Sequence, residues 1–429
     1  MSDFDTLDFF TDQSLVEDPY PYFEFLRSQG PVVRLPHRNV VAVTGYDEAA
    51  AVFRDTDTFS NCNSVVGPFV PFQAEGDDID ELIARNREQM PMHEHMVTMD
   101  PPDHTKERAL LMRLITPKRL KENEEFMWRL ADRQLDEFLS KGACEFIGEY
   151  SQPFAMQVVA DLLGVPEEDH RLFRVRLGVN PTPGSVDDPE SMFANLNSLD
   201  FLDAWFTRYV DERRREPRSD VLGHLALAKY PDGTVPPVIA VVHAATFLFA
   251  AGQETSARLL GSCLQHLAEH PELQEQLCAN RQLIPNFIEE TLRLESPTKT
   301  DSRLARRTTR LAGVDVPAGT TVVMFLGAAN RDPRRFERPA EFRVDRPNAA
   351  EHIAFGRGAH ACPGGPLARA EAKVSLERIL SRMRDLRISE GEHGPPGARR
   401  FEYTPTYILR GLTTLHLEFT PVDAPEPVS

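Results

Sequence analysis

From Asp103 to Leu294 apolar residues recur three and four positions apart, the spacing of helices with one buried face. The pattern is clearest in PKRLKENEEFMWRLADRQLDEFLSK (117–141) and SLDFLDAWFTRYVDERRREP (198–217). Ahead of it, GPVVRLP (30–36) and NVVAVTGY (39–46) predict a β-hairpin. Strand signals return in RRTTRLAGVDVPAGTTVVMF (306–325), with Pro317-Ala318-Gly319 as the expected turn, and in GLTTLHLEF (411–419). The expected fold is mainly α with small β-sheets, β-rich at roughly 30–60 and 300–330. No repeat or linker divides the chain, so one domain over 1–429 is expected, with 422–429 as a loose tail. Two long stretches, 60–78 and 179–191, mix apolar residues with Pro and Gly and are expected to be loops.

Composition narrows the function. With 48 Lys and Arg against 66 Asp and Glu, the net charge of −18 argues against a nucleic-acid binder that works through bulk positive potential. The N-terminal residues lack a basic segment followed by an apolar one, so no signal peptide is expected. The apolar stretch Val238–Gly252 is short and carries His243, so no membrane insertion is expected. Five scattered cysteines without a CxxC suit a reducing cytoplasm.

Chemistry concentrates in FGRGAHACPGG (355–365), where one cysteine sits among glycines just ahead of a helical run. Free N–H groups at a helix start favour a thiolate. A buried cysteine in a tight turn is the simpler alternative. Zinc would need three further ligands, and His360 is the one good neighbour in the loop. Haem brings four ligands of its own and needs one from protein.

FLFAAGQETSARLL (247–260) reads as a buried helix, yet it holds Gly252, which costs about 1 kcal/mol relative to Ala, together with Glu254 and Thr255. Such local violations are expected at functional sites, although a helix end there would also account for them. In FIEETLRLESP (287–297), Glu290 and Arg293 are three apart and share a helix face. His93-Glu94-His95 offers two histidines but no apparent third ligand, and reads as a polar loop.

The pattern F-G-x-G-x-H-x-C-x-G followed by L-A-R-x-E resembles the haem-binding signature of the cytochrome P450 family. It is matched by Phe355, Gly356, Gly358, His360, Cys362, Gly364, Leu367, Ala368, Arg369 and Glu371. Gly365 departs from the commoner Ala. The resemblance implies the P450 fold and haem b, with Cys362 as the axial thiolate. His360, His104, Arg108 and Arg303 would face the haem propionates. Ala251, Gly252, Glu254 and Thr255 match the A-[AG]-x-[DE]-T element over the other haem face, where Thr255 would donate to O2 and Glu254 relay protons. Glu290, Arg293 and Arg346 would form a buried network behind the cysteine loop.

The same resemblance implies a monooxygenase acting on a small lipophilic substrate by C–H hydroxylation or O-dealkylation. Electrons would come from NAD(P)H through a ferredoxin reductase and a ferredoxin, the latter docking on Arg113, Lys118, Arg119, Arg357 and Arg369. A monomer is expected. Phe69, Phe72, Phe247, Leu248, Thr298, Lys299, Thr406 and Tyr407 are the expected substrate-pocket residues. Two other haem-thiolate functions, ligand binding without turnover and peroxide-driven oxidation, account less well for Glu254 and Thr255.

Overall fold

The computed structural model describes residues 4–170, 172, 184–187 and 197–422. The expected loop at 179–191 lies outside them except for 184–187, and so does the expected tail from 423 onward.

The helices that build the site are α1 (Asp103–Leu111), α2 (Pro117–Asp136), α3 (Gln152–Leu163), α4 (Asn197–Arg215), α5 (Val238–Glu269), α6 (Ile284–Glu295) and α7 (Gly365–Arg382). Local chemistry explains their limits. Before α2, the Thr116 side chain accepts the Arg119 N–H at 3.3 Å, and Pro117 opens the helix at a position needing no N–H. Its apolar face then buries Met127, Leu130, Ala131 and Leu135. Met127, Leu130 and Leu135 each contribute about 1.5–3 kcal/mol.

Helix α5 extends well past the apolar stretch read from the sequence, to 32 residues. By length and composition it is able to cross a membrane. In this fold it is the central helix, packed against α1, α3, α4, α6 and α7. An all-round apolar helix suits either setting.

The principal sheet has the order β1-β2-β8-β5-β3. Its strands are β1 (Val32–Arg34), β2 (Val40–Val43), β3 (Phe59–Ser60), β5 (Thr300–Ala305) and β8 (Thr321–Phe325). The expected hairpin is present, with Val32 opposite Val43, and β2 runs parallel to β8, with Val41 opposite Val322. The strand pattern at 306–325 splits differently from expectation. β6 (Thr309–Leu311) and β7 (Val314–Val316) pair through Ala312-Gly313, whose φ angles are 44° and 88°. Pro317-Ala318-Gly319 instead carries the chain from that ribbon into β8. A third sheet joins β4 (Ala143–Glu145), β10 (His416–Pro421) and β9 (Met383–Ile388). The largest apolar core lies among the helices and a second lies against the principal sheet. The cysteine loop enters between them.

Candidate active site

The cysteine loop is closed by its own backbone. The Cys362 N–H donates to the Phe355 carbonyl at 2.8 Å, and a 3₁₀ turn covers Gly358–His360. Two glycines make this possible. Gly356 and Gly358 have φ of +64° and +69°, where a side chain is strained. A Cβ on Gly358 would also stand 2.3 Å from the Phe53 carbonyl oxygen. The sulfur then points into a cavity of about 280 Å³ between α5 and α7. Its accessible surface is cavity wall, for the group lies deep in the protein.

Burial raises the Cys362 thiol pKa, and the Gly364 and Gly365 N–H groups and Arg108 lower it by less. The helix start therefore lessens the cost of a thiolate without producing one unaided. A bound metal cation would complete the deprotonation.

Across the cavity, α5 contributes Ala251, Gly252, Thr255, Ser256 and Leu259. Gly252 lets α5 approach α3 closely, since a Cβ there would meet Val159 Cγ2 at 3.0 Å. The Thr255 hydroxyl donates to the Ala251 carbonyl at 2.9 Å, within its own helix. Glu254 is not in the apolar setting that the sequence suggested. Its side chain is partly exposed and paired with Arg258, which also donates to Thr404 Oγ1 at 3.1 Å.

Four basic groups collect at one edge of the cavity. The rings of His104 and His360 lie 3.8 Å apart, centroid to centroid. Arg108 donates to the Ala361 carbonyl at 2.6 Å and Arg303 to Asp301 at 2.7 Å. Both ring nitrogens of His104, Nε2 of His360 and Nη1 of Arg108 are buried without hydrogen-bond partners. Burial and then the nearby arginines push His104 down to about 4, and burial, Arg303 and His104 push His360 down to about 2. Arg108 Nη1 and the N–H that each neutral imidazole retains are donors to be met here, and an anion beside them would also offset the arginine charges.

Comparison with known proteins decides what this arrangement belongs to. Residues 188–396 match the family model described as Cytochrome P450. Cytochrome P450 144 of Mycobacterium tuberculosis is 36% identical over 371 residues, covering 86% of this chain and 83% of that protein. The chain belongs to the cytochrome P450 family. Substrate-free CYP150A6 of Mycobacterium marinum superposes with a TM-score of 0.92 at 60% identity, over 98% of this chain and 100% of that one. CYP109E1 of Bacillus megaterium in complex with corticosterone superposes with a TM-score of 0.78 at 29% identity, over 94% and 98%.

P450 proteins are monooxygenases that bind haem b through a cysteine thiolate, and the residues here fit that group. A sulfur faces the cavity, the glycine loop leaves its approach open, and the unmet donors of His104, Arg108 and His360 suit two carboxylates.

Two ion-pair clusters are built on α6. In the first, the fully buried Glu290 receives Arg293 at 2.7 and 2.8 Å and Arg346 at 2.8 and 3.0 Å. The remaining guanidinium hydrogens of Arg293 and Arg346 go to backbone carbonyls that include Asn330, Pro339 and Glu337. Sequence reasoning missed the second cluster. Arg369 on α7 donates to both oxygens of Glu289 on α6, and His352 Nε2 lies 3.2 Å from the same carboxylate. The adjacent acids in "EETLR" were the available signal.

Of the residues expected in the substrate pocket, Phe247, Leu248 and Thr298 line the cavity, joined by the unanticipated Met96 and Val97. Phe69 and Tyr407 lie in the N-terminal aromatic cluster beside Phe10, and the Tyr407 hydroxyl donates to the Val66 carbonyl. Phe72 packs with Ile79 and Met90 in a separate cluster. Lys299 is buried, with Nζ 5.7 Å from the Phe9 ring centroid. Thr406 Oγ1 accepts the Ile408 N–H at 3.1 Å. None of these five is on the cavity wall. A more open depression of about 690 Å³ around Gln73, Asp78 and Arg85 holds none of the motif residues.

Proposed function

We propose that this P450 inserts one oxygen atom of O2 into a small lipophilic substrate, with Cys362 as the residue whose thiolate would hold its haem. The carrying observation is that Cys362 and Thr255 face one cavity from opposite elements. When bound, haem b supplies the iron at which O2 is reduced and split. The chain supplies the rest. Cys362 provides the electron-rich sulfur, and the Gly364 and Gly365 N–H groups temper its charge. His104, Arg108, Arg303 and His360 would hold the haem's carboxylate groups.

On the opposite wall, Thr255 Oγ1 leaves the Ala251 carbonyl by rotating about χ1, and then donates its proton into the cavity. Glu254, released from Arg258, carries protons inward from solvent as a general acid. Substrate rests on Met96, Val97, Phe247 and Leu248, with Thr298 as a polar contact. This largely apolar wall supports hydroxylation of C–H bonds or O-dealkylation in lipophilic molecules. Corticosterone, bound in the CYP109E1 structure, marks steroid-like compounds as a class to test first.

Electrons reach the site from NAD(P)H through a reductase and a ferredoxin. Of the five cations assigned to that contact, Arg369 is already committed to Glu289. Arg113 and Lys118 remain exposed, while Arg119 lies beside His224 and Arg357 donates to the Glu351 and His352 carbonyls. The protein acts as a cytoplasmic monomer. Titrating lipophilic compounds, steroids first, into the haem-loaded enzyme while following its spin state tests the substrate class. Product formed with ferredoxin, reductase and NAD(P)H confirms the reading. Spin-shifting ligands that all leave unchanged, under proven electron delivery, overturn it.

A further inference from the structure

Outside the haem site, three side chains from distant parts of the chain converge. His95 precedes the 3₁₀ turn Met96–Thr98, Asp203 lies on α4 and His243 on α5. One ligand atom from each lies within 4.8 Å of the others. His243 Nε2 is 3.7 Å from Asp203 Oδ2 and 3.8 Å from Glu94 Oε2, beyond hydrogen-bonding distance. His95 is only 6% exposed, and its buried Nδ1 has no hydrogen-bond partner. The Thr246 hydroxyl donates to Asp203 Oδ1 at 2.6 Å, which orients the carboxylate and leaves Oδ2 toward His243.

We propose that His95, Asp203 and His243 bind a divalent transition-metal ion of zinc type. Of the two histidines in His93-Glu94-His95, only His95 joins the cluster, and its partners come from α4 and α5. Two imidazoles and one carboxylate form a three-ligand set that suits zinc, cobalt or nickel. The fourth position falls to water or to Glu94, which is exposed and beside His243. In tetrahedral geometry two zinc bonds of about 2.1 Å place their ligand atoms about 3.4 Å apart, so a pair 4.8 Å apart has to close by about 1.4 Å.

The site also has a consequence for the cavity. Met96 and Val97, which directly follow His95, line it, and so do Phe247 and Leu248, one turn beyond His243. A bound ion therefore pins the loop at the cavity wall to α4 and α5, and its occupancy is coupled to substrate entry.

Equilibrium dialysis of the haem-loaded, chelator-treated full chain against zinc chloride tests the proposal, with bound metal counted by mass spectrometry. The expected result is one zinc per chain. His95→Gln and His243→Gln should each weaken binding at least about 100-fold, the upper end of the loss caused by removing a mere outer-shell partner. His37→Gln, at an exposed histidine elsewhere, should leave it unchanged. Should either glutamine variant fail to fold, Asp203→Asn keeps the side-chain size and an acceptor for Thr246, and should show the same loss. Variants are compared only where haem absorption and zinc-free melting match the parent. Absence of stoichiometric zinc, or zinc held equally by the parent and the folded ligand variants, overturns the site.

Discussion

Arg369 donates to both carboxylate oxygens of Glu289, at 2.6 and 2.8 Å, and so ties the helix behind the cysteine to the helix that carries Glu290. Burial alone would raise the Glu289 pKa. Arg369 and His352 more than offset this and hold it near 2, below its ordinary 4.5. A depressed carboxylate stabilises the fold above its unfolded pKa, and the contribution fades as pH falls through 4.5 toward 2. Glu289→Gln should therefore cost up to about 3 kcal/mol at neutral pH, an upper figure from the size of the shift. In denaturant titrations of the holoprotein the gap to the parent should begin to narrow below about pH 5. A gap that is constant with pH would show that the pair carries no linked proton.

Arg293 is fully buried against Glu290. Arg293→Ala leaves Glu290 with Arg346 as its one remaining ion-pair partner, and removing one member of a buried pair costs about 3–5 kcal/mol. The expected outcome is loss of soluble holoprotein, or a steep fall in haem content per chain by absorbance. Full haem content with unchanged melting would contradict the network's structural role.

Glycines in the cysteine loop should differ in tolerance. Gly358→Ala meets both a positive φ, worth about 1–2 kcal/mol, and the Phe53 carbonyl. Gly365 has no positive φ, and an added Cβ would meet side chain and not backbone: Arg369 Nη1, the guanidinium nitrogen outside the Glu289 pair, at 3.2 Å. Gly365→Ala should keep haem affinity and melting temperature near the parent's, while Gly358→Ala should lower both.

Glu371 on α7 is fully buried, and neither oxygen has a hydrogen bond of good geometry. Burial raises its pKa to about 8, with Ser256 lowering it slightly. A raised carboxylate has the opposite sign to Glu289: the folded state keeps a proton that the unfolded chain releases, so stability falls as pH rises from about 4.5 to 8. Glu371→Gln removes that decline. Melting of parent and variant across this range should diverge with increasing pH in favour of the variant. Parallel curves would refute the assignment.

Much of this was legible because it is local. The cysteine loop, the Glu290–Arg293 spacing and the Ala251–Thr255 element each lie within one short segment, where residue type and turn geometry are coupled. What was missed depends on separation along the chain. Glu289 meets His352 and Arg369 only after α6 and α7 pack together. The histidine at 95 finds its partners on two later helices. Tyr407 and Phe69 look like pocket residues in sequence, but they are drawn into the aromatic cluster around Phe10. The hairpin turn was misplaced because Ala312 adopts a positive φ that alanine rarely takes.

The central claim is that the Cys362 sulfur ligates haem iron, and the carbon monoxide difference spectrum of the reduced protein tests it most directly. The parent should show the thiolate-type carbonyl band, and Cys362→His, in protein that still holds haem, should replace it with the band of nitrogen-ligated haem. An unchanged thiolate band in Cys362→His would contradict the account.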